Sequence, residues 1–268
     1  MKPVVLAQMN TRKIIRRLNG VFPIAKPHGI TSAEALNTIK QKLYEELEIH
    51  KSGDIKLGHG GTLDSTATGV MAVGVGDGCK KLKCLLQGDK NYRVQCQLGI
   101  ATDTYNETGK VMAEMAYDHV TEELLRDSLR EFQGRIKQVP PLYSALKMNG
   151  RRYSDLAREG IEITIEPRRV FCYEVHLTSF TPPYFGLFVS TGPGFYIRSL
   201  IHDLGQAVGS CAHVRQLQRT KHGPFSLSDA LPEDKWNAEQ IIQSVTRFKN
   251  IVDKYYKEYK MAAWKDKW

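Results

Sequence analysis

The sequence predicts an α+β fold, because patterns typical of strands and of helices both occur along its 268 residues. Residues 91–100 and 170–180 alternate between apolar and polar side chains, as half-buried strands do. Apolar residues at 197, 200, 201 and 204 have instead the spacing of one buried helical face. A chain of this length buries a full hydrophobic core, so we expect a globular protein.

Local signals place the first elements. The apolar run at 21–25 predicts a strand, and the run at 70–75 predicts a second, buried strand. Thr31 is followed three residues later by Glu34, which is the pattern of a helix capping box. We expect this helix to continue to about residue 48.

Later elements follow from the same rules. The strand at 91–100 places Tyr92, Val94, Cys96 and Leu98 on one face. Residues 108–110 predict a hairpin turn, and Thr121 begins a helix that we expect to end at Gly134. A strand-like run also covers 185–189, and a helix rich in tyrosine and lysine is expected at about 239–268. In the strand at 170–180, the alternation predicts one face made of Phe171, Tyr173, Val175 and Leu177.

The composition favours an intracellular protein with a polyanionic partner. The net charge is +9 and the pI about 9.2, and each phosphate that Lys or Arg neutralises releases condensed counterions. Charge alone does not distinguish RNA, DNA and an anionic membrane. No apolar run approaches the roughly 18 residues that a membrane span needs, and there is no secretory signal. The five cysteines show no zinc-binding spacing, so we expect reduced thiols.

Residues 1–19 predict a basic N-terminal arm, because the first acidic residue of the chain is Glu34. One interpretation is a mitochondrial presequence, and the other is an arm that contacts an RNA backbone. The scarcity of serine favours the arm. We expect a nuclear or cytoplasmic protein and keep the mitochondrion as the alternative. The basic residues before Glu34 are Lys2, Arg12, Lys13, Arg16, Arg17 and Lys26.

The most informative segment is residues 58–69, with the sequence GHGGTLDSTATG. It places one carboxylate, Asp64, in a glycine-rich loop directly before the strand at 70–75. Glycines allow a planar ligand to approach the backbone closely. The simpler interpretation is an ordinary turn in which Asp64 caps a neighbouring amide.

This loop resembles the G-H-x-G-x-L-D-x-x-A-x-G signature of the TruB family of tRNA pseudouridine synthases, and the resemblance extends over about residues 20–236. Ser65 stands where many bacterial members have proline, as in the eukaryotic branch. The resemblance implies the pseudouridine synthase fold, a large mixed and mainly antiparallel sheet flanked by helices. It implies a catalytic domain at 20–268 with a thumb inserted at about 135–165, and we see no room for the PUA domain of bacterial members.

The same resemblance implies the site residues. Asp64 matches the catalytic nucleophile, Tyr92 the tyrosine that stacks on the target base, and Arg198 the arginine that pairs with the aspartate. Arg198 lies near the start of a predicted helix, where a cation gains nothing from the helix dipole. This position is a second reason to expect a carboxylate partner for Arg198. His59 would fill the gap in the RNA stack, and Lys26 with Pro27 would brace the loop. The predicted substrate-binding residues are His59, Tyr196, Leu217, Lys26, Asp103, Tyr143, Lys147, Arg219 and Lys221.

The implied activity is isomerisation of uridine 55 in the T-loop of tRNA, with similar stem-loops in mRNA as further substrates. This reaction needs no cofactor or metal, and we expect a monomer. Attack at C6 and attack at C1′ both stay open. One rival function is a catalytically silent RNA chaperone with the same fold. Another is a nucleotide-binding protein, indicated by glycines at 74, 76 and 78 before Lys80 and Lys81, but this spacing fits neither common phosphate-binding motif.

Overall fold

The computed structural model describes residues 10–49 and 55–265, with side chains up to residue 262. Short 3-10 turns join several of the regular elements. The helices are α1 (Thr11–Leu18), α2 (Ser32–Glu46), α3 (Leu82–Leu86), α4 (Glu122–Leu129), α5 (Tyr153–Arg158), α6 (Ile197–Ala207) and α7 (Ala238–Lys265). The strands are β1 (Gly20–Lys26), β2 (Leu57–His59), β3 (Thr68–Val75), β4 (Lys90–Leu98), β5 (Ile100–Thr102), β6 (Val111–Glu114), β7 (Gly134–Gln138), β8 (Lys147–Met148), β9 (Arg151–Arg152), β10 (Arg168–Thr181), β11 (Tyr184–Thr191), β12 (Ala212–His222) and β13 (Phe225–Ser226).

Most strands belong to one nine-stranded sheet, which confirms the predicted fold class. Its order is β1-β3-β12-β4-β11-β10-β7, with β13 paired to β12 and β2 paired to β3. Two small antiparallel pairs, β5–β6 and β8–β9, lie outside it. The chain divides into two compact units. The first unit contains the described residues of 1–89 and 219–268, and the second contains 90–218, so β12 leaves the second unit at Gln218 and enters the first at Arg219.

The first unit is built on antiparallel β1 and β3 and on α7. Alternate residues of these strands meet Phe248 and Val252 of α7 in a buried apolar cluster. The capping box predicted for α2 is present, because Glu34 N–H donates to Thr31 Oγ1 at 3.1 Å and Thr31 N–H donates to Glu34 Oε2 at 2.6 Å. The helix ends at Glu46, two residues before the predicted boundary.

The second unit is built on β4, β11, β10 and β7, with α4 and α6 packed on one face of this sheet. Leu125 and Leu129 of α4 and Leu200 of α6 lie in the same buried cluster as the strands. The face predicted for β4 is confirmed, because its alternate apolar residues are all buried. The predicted hairpin turn at 108–110 connects β5 to β6. The buried residues of β4 are Tyr92, Val94, Cys96 and Leu98.

Three predicted boundaries need correction or completion. Helix α4 ends at Leu129 and a 3-10 turn follows, because Gly134 takes a positive φ of 85° and begins β7. In the predicted basic arm, residues 11–18 form α1, while Lys2 and the rest of 1–9 lie outside the described residues. The C-terminal helix covers 238–265 of the predicted 239–268, and residues 266–268 lie outside the described part. Among the described helices, none is both long and apolar enough to cross a membrane.

The predicted face of β10 is wrong for Phe171 and Tyr173. A register shift lies between Cys172 and Glu174, so that one extra residue is inserted relative to β11. Such a bulge exchanges the two faces of a strand. Cys172 and Val175 are therefore buried, while both aromatic side chains point away from the core and are exposed.

Candidate active site

The loop that carries Asp64 connects β2 to β3 and is fixed by its own apolar residues. Leu63 and Ala67 are buried, whereas Asp64 is half-buried and Ser65 is exposed. Ala67 N–H donates to Asp64 O at 3.1 Å, which closes a tight turn around the carboxylate. The backbone is thus anchored on both sides of Asp64.

Arg219 of β12 holds this loop from inside. Its side chain is only 1% exposed. Nε donates to Val70 O at 2.7 Å, Nη1 to Thr62 O at 3.3 Å, and Nη2 to Gly61 O at 3.1 Å. The chain passes so close that a Cβ on Gly69, whose φ is +109°, would lie 2.2 Å from Arg219 O. The buried guanidinium thus supports the loop from within the first unit, and the substrate-binding role predicted for Arg219 stays a prediction.

His222, also on β12, is a second anchor that sequence reasoning did not single out. Its Nδ1 accepts a hydrogen bond from Ala72 N–H at 3.4 Å, and its Nε2 lies 3.1 Å from both Gly60 O and Leu85 O. These partners define a neutral imidazole with the proton on Nε2. The residue lies in the block 217–225 that resembles the family, but spacing alone gave it no role.

Ser32 and Lys26 anchor the central part of the loop. Ser32 Oγ donates to Leu63 O at 3.0 Å and accepts from Leu63 N–H at 2.9 Å. Lys26 Nζ donates to the carbonyl of Ser65 at 3.3 Å, directly after Asp64. Its other bonds, to Pro27 O at 2.7 Å and Ile30 O at 2.6 Å, tie the loop to the turn before α2. Lys26 thus links the loop to this turn, while its predicted part in the substrate site stays a prediction.

Burial, with a smaller contribution from the charge of Arg219, lowers the pKa of Lys26 from its ordinary 10.5 to about 8. The negative charges of Asp64 and Glu34 act in the opposite direction. At neutral pH the ammonium therefore stays largely protonated and places a positive charge near Asp64.

Lys26 should make folding stability depend on alkaline pH. Between about pH 8 and 10.5, the folded protein has lost this proton while the unfolded chain still holds it, so the free energy of unfolding rises with pH there. Relative to Lys26→Met, we expect the wild type to gain at most about 1.4 kcal/mol per pH unit over this range. Urea unfolding of both proteins at pH 7, 8, 9 and 10 measures the difference. Parallel curves would contradict the shift.

In the second unit, three hydrogen-bonded links fix the start of α6. Arg198 is buried, and its Nη1 and Nη2 donate to Thr104 O at 3.0 Å and Tyr143 O at 2.9 Å. Ser199 Oγ donates to Val139 O at 2.7 Å. The third link is Gln138, whose amide pairs with the backbone of Tyr196. Together they join residues 138–143 and the turn at Thr104 to the N-terminus of α6.

Gln138 was not predicted from the sequence, yet it positions Tyr196 directly. Its Oε1 accepts from Tyr196 N–H at 2.8 Å, and its Nε2 donates to Tyr196 O at 2.9 Å. The side chain is buried at the end of β7. A glutamine in a basic, mostly polar stretch carries no local signal of this role.

We expect Gln138→Glu to disturb Tyr196 without removing side-chain volume. The carboxylate still accepts from Tyr196 N–H, but it cannot donate to Tyr196 O, and a buried charge is added. We expect a loss of about 2 kcal/mol of stability and a lower rate of the chemical step at saturating RNA. Gln216→Glu, at an exposed position of the same unit, is the control. Equal stabilities of the two variants would contradict the positioning role.

The other predicted residues have diverse placements. Tyr92 lies buried in the core of the second unit, and Leu217 packs partly against that core. Asp103 Oδ1 accepts from Lys110 N–H at 2.9 Å and so closes the β5–β6 hairpin. His59 is half-buried at the end of β2, whereas Lys147 and Lys221 are exposed on β8 and β12. The proposed pairing of Asp64 with Arg198 stays a prediction.

No three His, Cys, Asp or Glu side chains among the described residues are grouped as a metal site would require. The loop offers the carboxylate of Asp64, while donors from β1, α2 and β12 hold the backbone carbonyls of the loop. A carboxylate on a fixed backbone can act as a nucleophile or as a general base.

Known proteins resemble this chain over most of its length. A model of the N-terminal domain of TruB family pseudouridylate synthases matches residues 48–197, and a model of the tRNA pseudouridylate synthase B C-terminal domain matches 198–259. Human pseudouridylate synthase TRUB1 is 49% identical over 237 residues, which cover 85% of this chain and 68% of the human protein. tRNA pseudouridine synthase B of Clostridium tetani is 36% identical, over 89% of this chain and 79% of that protein.

A solved structure gives the same fold. The match is to a chain in the crystal structure of a Cbf5-Nop10-Gar1 complex, with a TM-score of 0.62 and 25% identity. It covers 94% of this chain and 62% of that chain, so this chain spans less than two thirds of the solved relative. The two family models together cover most of the sequence that surrounds Asp64, Tyr92 and Arg198. The chain belongs to the TruB family of pseudouridylate synthases.

Proposed function

We propose that this chain isomerises uridine to pseudouridine at position 55 in the T-loop of tRNA, and that it also accepts mRNA stem-loops of similar shape. The relatives named tRNA pseudouridine synthase B support a tRNA substrate, and the net charge of +9 favours a polyanion. One observation carries the catalytic part of the proposal. Asp64 is half-buried at the centre of a loop whose backbone is fixed by buried side chains on both sides.

The reaction fits the residues that the chain supplies. The N1–C1′ bond of uridine breaks, a C5–C1′ bond forms, C5 loses a proton and N1 gains one. Asp64 attacks C6 or C1′ and leaves again, so that it is regenerated unchanged. Tyr92 stacks on the uracil and offers its hydroxyl for proton transfer, while Arg198 stabilises the ionised form of Asp64.

The target base must leave its stack before it reaches Asp64. A base in a loop costs less to extrude than one in a duplex, because fewer pairing and stacking contacts are lost. A-form stems present mainly phosphates and 2′-hydroxyls, so shape and charge select the stem while the loop exposes the base. The exposed Lys147 and Lys221 are suited to contact phosphates. The protein acts as a monomer in this proposal.

Tritium release from tRNA that carries [5-³H]uridine tests the proposal. We expect the wild-type protein to release one tritium per tRNA and to leave pseudouridine at position 55. The control is the same tRNA with cytidine at position 55, which lacks the target uridine. Refolding of tRNA without tritium release would reject the enzyme and support the chaperone.

A further inference from the structure

Two aromatic side chains on β10 are exposed side by side. The bulge after Cys172 turns Phe171 and Tyr173 away from the core, where they are 38% and 46% exposed. Their ring centroids are 4.9 Å apart and the rings are tilted by 47°. Adjacent exposed aromatic rings offer a surface on which a nucleic-acid base can stack.

Cations surround this pair on the same face of the sheet. Arg135 on β7 lies opposite Phe171, and Lys137 lies opposite Arg169. The side chains of Arg135, Lys137 and Arg169 are all exposed, because the residues that alternate with them along β7 and β10 face the core. Within the described part of the chain, none of the three has a salt bridge to a carboxylate, while Glu174 pairs with His176 at 3.1 Å. We call this surface the outer patch: Arg135, Lys137, Arg169, Phe171 and Tyr173.

The outer patch adjoins the segment that leads to the substrate residues of the second unit. A Cβ on Gly192 would lie 3.5 Å from the hydroxyl of Tyr173, and Gly192 N–H donates to Phe171 O at 2.9 Å. Gly192 precedes Tyr196 by four residues, which span at most about 14 Å when extended. The backbone beside the outer patch is therefore within about 14 Å of Tyr196, a distance that four stacked nucleotides span at about 3.4 Å each.

We propose that the outer patch binds an unpaired nucleotide that flanks the target loop of the RNA, with its base stacked on Phe171 and Tyr173. This proposal rests on the proposed function, because it assumes an RNA substrate. Aromatic rings beside arginine and lysine are the combination with which proteins hold single-stranded nucleic acid. Arg135, Lys137 and Arg169 neutralise the phosphates on either side of the stacked base.

The charge of the patch favours RNA over a second copy of this chain. Each copy has a net charge of +9, so association through a cationic face is repulsive. The buried centre of a protein–protein interface is typically poor in charged residues. Here three cations border the two rings, and no described carboxylate forms a salt bridge with them. RNA satisfies both the rings and the cations.

Binding of a T-arm stem-loop, measured by fluorescence anisotropy, tests the stacking. We expect Phe171→Ala and Tyr173→Ala each to weaken binding about tenfold, since each removes a stacking surface. Phe171→Tyr and Tyr173→Phe keep the rings and should bind within about twofold of wild type. Tyr184→Ala is the matched control, because Tyr184 is 45% exposed in the same unit but lies outside the patch. We expect it to bind as wild type does.

Salt dependence separates the rings from the cations. We expect Arg169→Gln to reduce the slope of log affinity against log salt by about one, and the two alanine variants to leave the slope unchanged. Wild-type affinity in both alanine variants, or a loss of self-association in sedimentation without a loss of RNA binding, would overturn the outer patch. The affinity and its salt dependence both measure binding and not catalysis. A wild-type protein that binds the stem-loop but releases no tritium would therefore reject the proposed function and leave the outer patch untouched.

Discussion

Replacement of Asp64 by asparagine should abolish tritium release while leaving RNA binding intact. The amide has nearly the same shape as the carboxylate, so the loop held by Lys26, Ser32 and Arg219 keeps its conformation. It lacks the negative charge that the nucleophile needs. We expect single-turnover release to fall by about a thousandfold or more. Anisotropy with the T-arm stem-loop should show affinity equal to or slightly above that of wild type.

The control for this variant is Asp77→Asn in the same unit. Asp77 is exposed and pairs with Lys80 at 2.5 Å, away from the loop. We expect its release rate to stay within about twofold of wild type, because a surface ion pair contributes little. Undiminished release from the Asp64 variant would remove the nucleophile assignment and, with it, the proposed mechanism.

The second large effect concerns Arg219, which we expect to stabilise the fold and the loop together. Arg219→Met keeps much of the side-chain length but leaves the carbonyls of Gly61, Thr62 and Val70 without these donors. Buried acceptors that lose their partners cost about 1 kcal/mol or more each, so the free energy of unfolding should fall by about 3 kcal/mol. Release should also fall at temperatures where the variant is still folded, because Asp64 is no longer held in place.

Arg215→Met provides the comparison on the same strand. Arg215 is partly exposed, and its Nε lies 3.9 Å from Glu107 Oε2, a weak ion pair. We expect this variant to lose less than about 1 kcal/mol. Urea unfolding of both variants gives the two values. If they lose the same stability, the guanidinium of Arg219 does not hold the loop.

Local chemistry was enough to predict several elements. The capping box of Thr31 and Glu34 forms within four residues, so the start of α2 could be read without knowing the rest of the fold. The alternation in β4 gave the correct buried face, because a regular strand has a period of two and no bulge interrupts it. The same rule failed in β10, where an inserted residue reversed the faces. A bulge depends on the neighbouring strand, which the alternation of one segment does not report.

The roles of Arg219, His222 and Gln138 depended on distant partners. Arg219 meets Val70 across 149 residues, and Gln138 meets Tyr196 across 58. No spacing rule links positions so far apart. The sequence therefore indicated a substrate-binding role for Arg219, which stays a prediction, but gave no sign that its buried guanidinium supports the loop.

The sequence by itself determined the α+β class, the charge that favours a polyanionic partner and the loop that presents Asp64, because composition, periodicity and the GHGGTLDSTATG segment can be read without the fold. Only the tertiary structure decided which polar side chains hold that loop and which aromatic residues reach solvent. The physical reason is desolvation. A guanidinium or an amide stays in the interior only where backbone carbonyls and amides from other elements satisfy it, and those partners come together only when the chain has folded.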